Sequence, residues 1–372
     1  MKINIERGLL LKVLNHIQGV VERRNTIPIL SNVRFDAPDG KLSLNATDLD
    51  IDIVETVAAD VLTPGAITAP AHTLYDIVRK LTDGAQVELD CTGDDSQLTL
   101  SAGRSKFKLS CLPTEDFPII SAGELPNNFS ITSTDLRGLI DRTKFAISTE
   151  ETRYYLNGIY LHVVENNGSS LLRAVATDGH RLASADLPMP EGAEGMPGVI
   201  VPRKAVLEIR KLIDESADEV NVGLSDTKIK FSFAGTTLTS KLIDGTFPDY
   251  DRVIPEGNDK ILEVETELFA QAVDRVSAIS AEKSRAVKLS ISKGNLILSA
   301  NSAENDTANE TIQVDYDDAE IEIGFNSRYL LDIAQQITGD KVRFTLADSG
   351  SPTLVQDLND AGAIYVLMPM RV

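Results

Sequence analysis

The chain has 372 residues and a formal net charge of −20, and 42% of its residues are hydrophobic. That length exceeds what one ordinary core serves and predicts two or three domains. The charge excludes a protein that attracts nucleic acid through its overall field, so any contact with DNA has to be local. Nothing approaches 18 consecutive apolar residues, and polar residues interrupt the N-terminal apolar run. We therefore expect a cytoplasmic protein with no signal peptide and no membrane contact.

The chain contains only two cysteines and four scattered histidines. Cys91 and Cys111 each fall in a strand-like run and are predicted to be buried, reduced thiols rather than a disulfide. This inventory is too small for a structural zinc site. We expect no metal and no cofactor.

One order of elements occurs three times along the chain: a helix, alternating strands, a short strand leading to a second helix, and a strand pair. The first copy places these elements at 6–21, 33–57, 67–81 and 87–118. The second copy places them at 134–147, 159–187, 199–213 and 220–248. The third copy places them at 266–279, 287–314, 321–337 and 342–369. The helices follow the spacing of an amphipathic helix, and the strands alternate with period two.

Details of the copies support an internal repeat. The segment Ala46-Thr47-Asp48 of the first copy matches Ala176-Thr177-Asp178 of the second, and all three copies end in an aromatic-proline or methionine-proline step. Runs of antiparallel strands with two helices indicate an α+β fold of three similar domains. Segments rich in glycine, proline and polar residues separate them, which predicts domains at 1–122, 128–254 and 259–372.

The charge is unevenly distributed between helices and the rest of the chain. Six helix windows (6–24, 71–81, 134–148, 201–213, 265–285 and 324–337) together carry +6, so the remainder carries −26. Helices on a common surface could then face a polyanion through contacts that are salt-sensitive and independent of sequence. The alternative is that these are ordinary solvated faces of amphipathic helices.

Several segments, in the same order along nearly the whole chain, resemble one known family, the beta subunit of bacterial DNA polymerase III. They are residues 26–30 (TIPIL), 153–158 (RYYLNG), 176–183 (ATDGHRLA), 201–204 (VPRK), 247–250 (FPDY), 324–326 (GFN) and 368–371 (MPMR). The segments RYYLNG, TDGHRLA and MPMR are together highly specific. The threefold repeat matches the three similar domains of the family.

The resemblance implies the DNA clamp fold, in which each domain packs two helices on antiparallel sheets. Two chains would associate head to tail into a ring of six domains, with the helices lining the hole. Such a ring would encircle duplex DNA and tether the replicative polymerase, which confers processivity. The implied partners are a second copy of the chain, double-stranded DNA, the polymerase alpha subunit, the clamp loader delta subunit and other proteins that carry clamp-binding motifs. For the dimer contact we expect Lys106, Phe107, Lys108, Ala278 and Ile279.

The resemblance also implies two sets of site residues. The expected DNA contacts are Arg24, Arg79, Lys80, Arg137, Arg142, Tyr154, Tyr155, Arg203 and Lys204. The loop at 148–152, which contacts DNA in the family, carries Glu150 and Glu151 here, so we expect no attraction from it. A peptide cleft between the second and third domains is expected to comprise Leu156, Thr177, Gly179, His180, Arg181, Leu182, Pro248, Val253, Asn326, Tyr329, Val366, Met368, Pro369, Met370 and Arg371. Its apolar residues, methionines included, suit short peptides of varied sequence.

Two other classes of protein remain to be weighed. An enzyme could use Asp178, His180 and Arg181 as an acid–base cluster. The sequence has no nucleophile motif, phosphate-binding loop or set of residues with metal-ligand spacing, so we expect no catalytic residue. A three-domain peptide-binding scaffold that never encloses DNA would keep the cleft but would not need basic helix faces.

Overall fold

The structure is a computed structural model that describes residues 1–23, 26–93, 96–166, 168–213, 219–280, 285–302 and 306–371. It divides into two compact units. The first unit comprises residues 1–137, 190–197 and 204–242, and the second comprises residues 138–189, 198–203 and 243–372. Each unit is described by itself below.

The helices lie where the amphipathic patterns predict them. They are α1 (Arg7–Ile17), α2 (Ala71–Val78), α3 (Ser133–Thr143), α4 (Arg203–Leu212), α5 (Thr266–Ser277) and α6 (Ser327–Ala334). In α1 the side chains of Leu10, Val13, Leu14 and Ile17 are buried along one face, as the spacing requires. In the described part of the chain no helix is long and apolar enough to span a membrane.

The six α-helices named above all end earlier than predicted, α1 and α3 by the largest margin. Helix α1 ends at Ile17 rather than near residue 21, shortly before Gly19, a poor helix former at which a Cβ would clash with the Glu208 carboxylate. Helix α3 ends at Thr143, whose hydroxyl donates a 2.6 Å hydrogen bond to the Leu139 carbonyl. A short 3-10 helix, Lys144–Ala146, follows it.

The strands within the predicted runs follow the expected order, and the structure adds a strand that was not expected directly before the first helix of each copy. In the first copy they are β1 (Lys2–Glu6), β2 (Asn32–Ala37), β3 (Lys41–Thr47), β4 (Ile51–Ala58), β5 (Asp60–Thr63), β6 (Gly65–Pro70), β7 (Gln86–Asp90), β8 (Gln97–Ala102) and β9 (Ser105–Ser110). In the second they are β10 (Asn127–Thr132), β11 (Gly158–Asn166), β12 (Ser169–Thr177), β13 (Arg181–Pro188), β14 (Val199–Pro202), β15 (Glu219–Leu224), β16 (Lys228–Phe233) and β17 (Thr236–Lys241). In the third they are β18 (Lys260–Glu265), β19 (Ala286–Ser292), β20 (Asn295–Asn301), β21 (Thr307–Gln313), β22 (Ile321–Asn326), β23 (Lys341–Leu346), β24 (Thr353–Asp357) and β25 (Asp360–Leu367).

These strands form two antiparallel sheets in each unit. The first unit has the sheets β5-β1-β7-β8-β9 and β10-β15-β16-β17-β4-β3-β2-β6, and the second has β14-β11-β12-β13-β25-β24-β23-β18 and β21-β20-β19-β22. The named ladders are antiparallel throughout, so the predicted α+β class is confirmed. Cys91 and Cys111 are buried thiols that are not joined in a disulfide, as predicted.

The eight-stranded sheets explain why the compact units differ from the predicted linear domains. In the first unit β17 of the second copy pairs with β4 of the first, with Leu238 opposite Ile53. In the second unit β13 of the second copy pairs with β25 of the third, with Leu182 opposite Val366. Each eight-stranded sheet therefore continues from one copy into the next, and the second copy contributes strands to both units. The exact domain boundaries stay a prediction.

Candidate functional site

The floor of the predicted peptide cleft is one buried apolar cluster in the second unit. It contains Leu156, Leu182 and Val366 together with Phe247 and Tyr250. Leu182 is 2% exposed and Val366 is 1% exposed, and the β13–β25 ladder places them directly opposite each other. Burying these side chains contributes roughly 1.5–3 kcal/mol each. The floor is therefore a rigid part of the core on which exposed residues can stand.

The turn between β12 and β13 carries the next group of predicted cleft residues. The Thr177 hydroxyl donates to the Arg181 carbonyl (2.7 Å) and accepts from the Gly179 amide (3.1 Å). The Asp178 carboxylate accepts from the amides of His180 (2.9 Å) and Arg181 (3.0 Å). Gly179 adopts φ +86°, a conformation that favours glycine. These bonds fix the turn and present His180 to solvent.

The C-terminal segment forms a second side of the cleft. The Met368 amide donates to the His180 carbonyl (2.9 Å), and the Met370 amide donates to the Gly324 carbonyl (2.8 Å). Met368 remains 38% exposed, while Pro369 and Met370 are partly buried. The backbone is held at both methionines while the Met368 side chain stays available, which suits adaptable apolar contact with a peptide.

Pro248 and Val253, two further predicted cleft residues, lie at the two ends of the segment that carries Tyr250. Tyr250 is buried, and its hydroxyl lies 3.0 Å from Nε2 of His162 and 3.4 Å from an Arg173 nitrogen. Arg173 donates two further hydrogen bonds to Asp186, at 2.7 and 2.8 Å. This network anchors the segment, so Pro248 and the 42% exposed Val253 project from a fixed base.

The electrostatics of this network keep it neutral at its centre. Burial lowers the pKa of His162 below its usual value, and a neutral imidazole can accept a hydrogen bond from the Tyr250 hydroxyl. Burial likewise raises the pKa of Tyr250 above its usual value, which keeps its hydroxyl protonated. The proton arrangement that holds the cleft wall is therefore stable at neutral pH.

The N-terminal end of helix α6 carries the predicted cleft residues Asn326 and Tyr329, which together with His180 we term the rim of the cleft. Asn326 caps the helix, and its side-chain oxygen accepts from the Arg328 amide at 3.0 Å. The Tyr329 ring lies 6.5 Å from the His180 ring, nearly parallel to it, and burial raises the pKa of Tyr329. Arg371, which follows Met370 in the C-terminal segment, is exposed. The fifteen predicted cleft residues thus all belong to the second unit.

Arg181 departs from the expectation for a cleft residue. Its side chain is only 8% exposed, and its guanidinium binds Asp178, Asp332 and the Phe145 carbonyl. Neither Phe145 nor Asp332 is predicted from the sequence as part of the site. The amphipathic pattern places Asp332 on the polar side of α6, but no local signal indicates that it contacts a residue 151 positions earlier.

The predicted DNA contacts fall into two groups by their surroundings. Arg79, Lys80 and Arg203 are exposed, and Tyr154 is 54% exposed. Arg79 forms a 3.1 Å ion pair with Asp76 within its own helix, which leaves the pair on the surface. Arg137 is partly buried. Arg24 lies outside the described residues.

Three other predicted DNA contacts are bonded or packed within the protein. Lys204 binds the Val20 carbonyl, Glu22 and Asp48 in the first unit. Arg142 forms a 2.7 Å ion pair with Asp360, and Tyr155 packs against the apolar cluster under the cleft, both in the second unit. Their contacts with DNA stay predictions, although these partners compete for the same side chains.

The acidic loop before the RYYLNG segment partly compensates its own charge. Glu150 accepts a 2.8 Å hydrogen bond from Arg153, and Glu151 is exposed. The positive charge of Arg153 is therefore compensated by Glu150 and is not available to a phosphate. This agrees with the expectation that the loop does not attract phosphate.

The predicted dimer residues occupy accessible positions in separate units. Lys106, Phe107 and Lys108 lie on β9, the last strand of the five-stranded sheet, where both lysines are exposed. Ala278 is the exposed C-cap residue of α5, and Ile279 follows it. An outer strand presents backbone groups that can pair with another chain. Their role in a dimer stays a prediction.

The enzyme interpretation finds no support in the geometry of Asp178, His180 and Arg181. Asp178 is engaged with two backbone amides and the Arg181 side chain rather than with the His180 ring. Among the described residues no group of three or more His, Cys, Asp or Glu side chains is placed to hold a metal ion. This turn is a structural element that displays His180.

Comparison with known proteins identifies the family. The models of the DNA polymerase III beta subunit match the chain in three successive parts: the N-terminal domain at residues 1–121, the central domain at 130–249 and the C-terminal domain at 251–371. The beta sliding clamp of Caulobacter vibrioides is 56% identical over 372 residues, and the match covers all of both chains. The three-domain organisation predicted from the repeat is thereby confirmed.

Solved structures agree with that match. A crystal structure of the C. crescentus beta sliding clamp with bound PEG has a TM-score of 0.97 at 56% identity, covering 100% of this chain and 99% of that one. The DNA polymerase III beta subunit of Bartonella birtlesii, bound to griselimycin, has a TM-score of 0.97 at 50% identity with complete coverage of both chains. This chain belongs to the DNA polymerase III beta subunit family, the beta sliding clamps.

Proposed function

We propose that two copies of this chain close head to tail into a ring that encircles duplex DNA and holds its partners through the cleft described above. The family consists of non-catalytic processivity factors, so the chain tethers a polymerase and carries out no reaction itself. A closed ring leaves intact duplex only by opening, so retention needs no tight contact. The cytoplasm, where a bacterial chromosome lies, is the location that this role requires.

The cleft proposal rests on one observation above the others. The β13–β25 ladder brings Leu182 opposite Val366, and it carries exposed His180 and Met368 at its end, joined by a 2.9 Å backbone hydrogen bond. Exposed apolar side chains over a buried apolar floor, with polar groups at the rim, suit a short peptide segment. The proposed occupants are segments of the polymerase alpha subunit, the clamp loader delta subunit and other clamp-binding proteins.

For DNA we propose weak, sequence-independent contacts from Arg79, Lys80, Arg203 and Tyr154, whose side chains are exposed. Phosphate contacts of this kind position a duplex without reading bases. A strongly basic surface would slow sliding, so a few exposed cations are compatible with a mobile clamp. The overall charge of −20 would discourage non-specific binding elsewhere on the protein.

Retention on plasmid DNA of two topologies tests the proposal. The purified protein is loaded onto nicked circular plasmid by a cognate clamp loader with ATP, and half of the sample is then linearised. Retention on circles with rapid loss after cutting is expected for a topological ring. Equal retention on both forms would indicate ordinary affinity for DNA. No retention on either, with loading shown to be competent, would favour the scaffold that never encloses DNA.

A further inference from the structure

The Arg181 guanidinium is bonded by its own turn and by two segments that are distant in sequence. Its Nε donates to Asp178 (3.1 Å), one terminal nitrogen donates to Asp332 (2.6 Å), and the other donates to the Phe145 carbonyl (2.6 Å). Charge-assisted bonds of this length are among the stronger hydrogen bonds in proteins. The plane of the guanidinium is therefore fixed by partners on three sides.

Two aromatic rings lie close to the same guanidinium. The Arg181 Cζ atom lies 4.3 Å from the centre of the Tyr329 ring and 5.1 Å from the centre of the Phe145 ring. Cation–π contacts at such distances contribute more when the cation is desolvated, and Arg181 is 8% exposed. With three hydrogen-bond partners and two neighbouring rings, this guanidinium is a structural centre rather than a group that meets a peptide.

The partners of Arg181 are directly connected to the rim of the cleft. Asp332 and Tyr329 both lie on α6, so fixing Asp332 also fixes the position of the Tyr329 ring. On the other side Arg181 closes the turn that displays His180, and the His180 carbonyl accepts the Met368 amide. Moving the guanidinium would therefore change the spacing between Tyr329, His180 and Met368.

A cavity behind the rim makes such a movement possible. It has a volume of about 380 Å³, and His180, Tyr329, Arg181, Asp332 and Phe145 all line it. Side chains that border a cavity can shift without displacing packed neighbours, whereas close-packed side chains cannot. The His180 and Tyr329 rings border this cavity, so packing does not hold them on that side. Their position therefore depends on Arg181.

We propose that Phe145 and Asp332 are positioning residues for peptide recognition, acting through Arg181 to hold His180 and Tyr329 at the spacing that a bound peptide requires. The inference rests on the proposed function of the cleft. Neither residue needs to touch the peptide. Their effect should appear in peptide affinity, beyond any effect on folding.

Binding of a fluorescently labelled peptide, which copies the clamp-binding segment of the polymerase alpha subunit, tests this on the full-length protein. Asp332→Asn and Phe145→Leu are each expected to raise the Kd about tenfold, within the range seen for residues that modulate a site remotely. Asp332→Glu, which keeps the charge, should recover part of the affinity. Unfolding midpoints are measured for every variant.

Matched controls separate positioning from general stability. Glu263 pairs with Arg343 at 2.6 Å and has a side-chain exposure of 26%, close to the 24% of Asp332. Phe344 packs at a tilt against Phe269, with ring centres 5.1 Å apart. Glu263→Gln and Phe344→Leu should lower the unfolding midpoint without changing the Kd. If these control variants raise the Kd of the peptide as much as the Asp332 and Phe145 variants do, the positioning role is refuted.

A double-mutant cycle checks that the effect passes through Arg181. Arg181→Lys keeps the charge but loses the planar fork, so combining it with Asp332→Asn should weaken binding little beyond either change alone. Fully additive losses would overturn the inference.

Met368→Ala tests the cleft itself. If Met368→Ala binds normally, the proposed cleft fails; if it binds poorly while Asp332→Asn and Phe145→Leu bind normally, only the positioning role fails.

Discussion

The amine of Lys204 lies 2.6 Å from the carboxylate of Asp48, and the same amine binds Glu22 (2.8 Å) and the Val20 carbonyl (3.0 Å). Asp48 belongs to a turn in the first copy that repeats the cleft turn of the second. Its carboxylate accepts from the amides of Asp50 and Ile51, as Asp178 accepts from two amides. The two repeats thus hold equivalent turns with different cations, Lys204 in one and Arg181 in the other.

From this geometry we expect Lys204→Ala to act mainly on stability. Removing the amine leaves Asp48 and the Val20 carbonyl without a charged donor, which should cost about 1.5–3 kcal/mol of unfolding free energy. Denaturant unfolding measures this. Retention on circular DNA, with the ring intact, should change little. As a control, Lys80→Ala removes an exposed lysine and should alter stability by less than about 0.5 kcal/mol. A large loss of DNA retention with unchanged stability would restore Lys204 as a DNA contact.

Much of the fold follows from patterns that local physics imposes. Apolar spacing predicts α1, α3 and α5, the repeated order of elements predicts the other three helices, and alternation predicts strands such as β3, where Leu42, Leu44 and Ala46 are fully buried. The match between residues 46–48 and 176–178 predicts that the two turns are equivalent, and their hydrogen bonds agree. Helix ends are less predictable, because they lie beside features that depend on tertiary or side-chain geometry, such as the Glu208 carboxylate next to Gly19 and the hydrogen bond of the Thr143 hydroxyl.

The candidate site, like the fold, is only partly predictable from the sequence. Resemblance to a family indicates the cleft residues, but it does not distinguish Arg181, which is enclosed, from His180, which is displayed. Asp332 lies 151 residues from Arg181 and Asp48 lies 156 residues from Lys204 in sequence. Such pairs arise from sheet continuity between copies, which no local pattern encodes. The same applies to the apolar floor that joins Leu156 to Val366.

Two adjacent tyrosines should separate DNA contact from packing. Tyr154 is 54% exposed, whereas Tyr155 packs against the buried cluster that contains Leu156 and Phe247. Tyr154→Ala is expected to shorten retention on primed circular DNA with no change in stability. Tyr155→Ala should lose about 3 kcal/mol of unfolding free energy, as for a partly buried aromatic residue. Retention is measured with loaded clamps at two salt concentrations. Equal stability losses in both variants would contradict this division.

The dimer assignment predicts that charge at either surface yields monomers. Phe107 lies on the outer strand β9, and Ile279 follows α5. Phe107→Asp and Ile279→Asp would each place an unpaired charge in the expected apolar contact, which costs several kcal/mol of association free energy. Light scattering after gel filtration should report the mass of one chain. Ile119→Asp, at a residue that is 69% exposed outside the strands, should leave the dimer intact. A dimer that survives both changes would place the interface elsewhere.

Asp52 should make the protein less stable as pH rises. The residue is 5% exposed on β4, one carboxylate oxygen has no hydrogen-bond partner among the described residues, and burial raises its pKa from 3.8 to about 6. Between these pH values the folded state binds more protons than the unfolded state. The stabilisation is therefore complete below pH 3.8 and is lost as pH rises through about 6.

Replacing Asp52 with asparagine removes the charge while keeping the shape. A rise in pKa from 3.8 to about 6 corresponds to about 3 kcal/mol against the charged carboxylate. Asp52→Asn should therefore stabilise the protein by up to that amount at pH 8, with the gain shrinking steadily toward pH 4. Urea unfolding at several pH values measures the difference between variant and parent, which cancels the contributions of other groups. Asp39→Asn, in the exposed turn between β2 and β3, should differ from the parent by less than about 0.5 kcal/mol throughout. A gain for Asp52→Asn that did not depend on pH would mean that the carboxyl is not the titrating group, since only its ionisation links this position to proton binding.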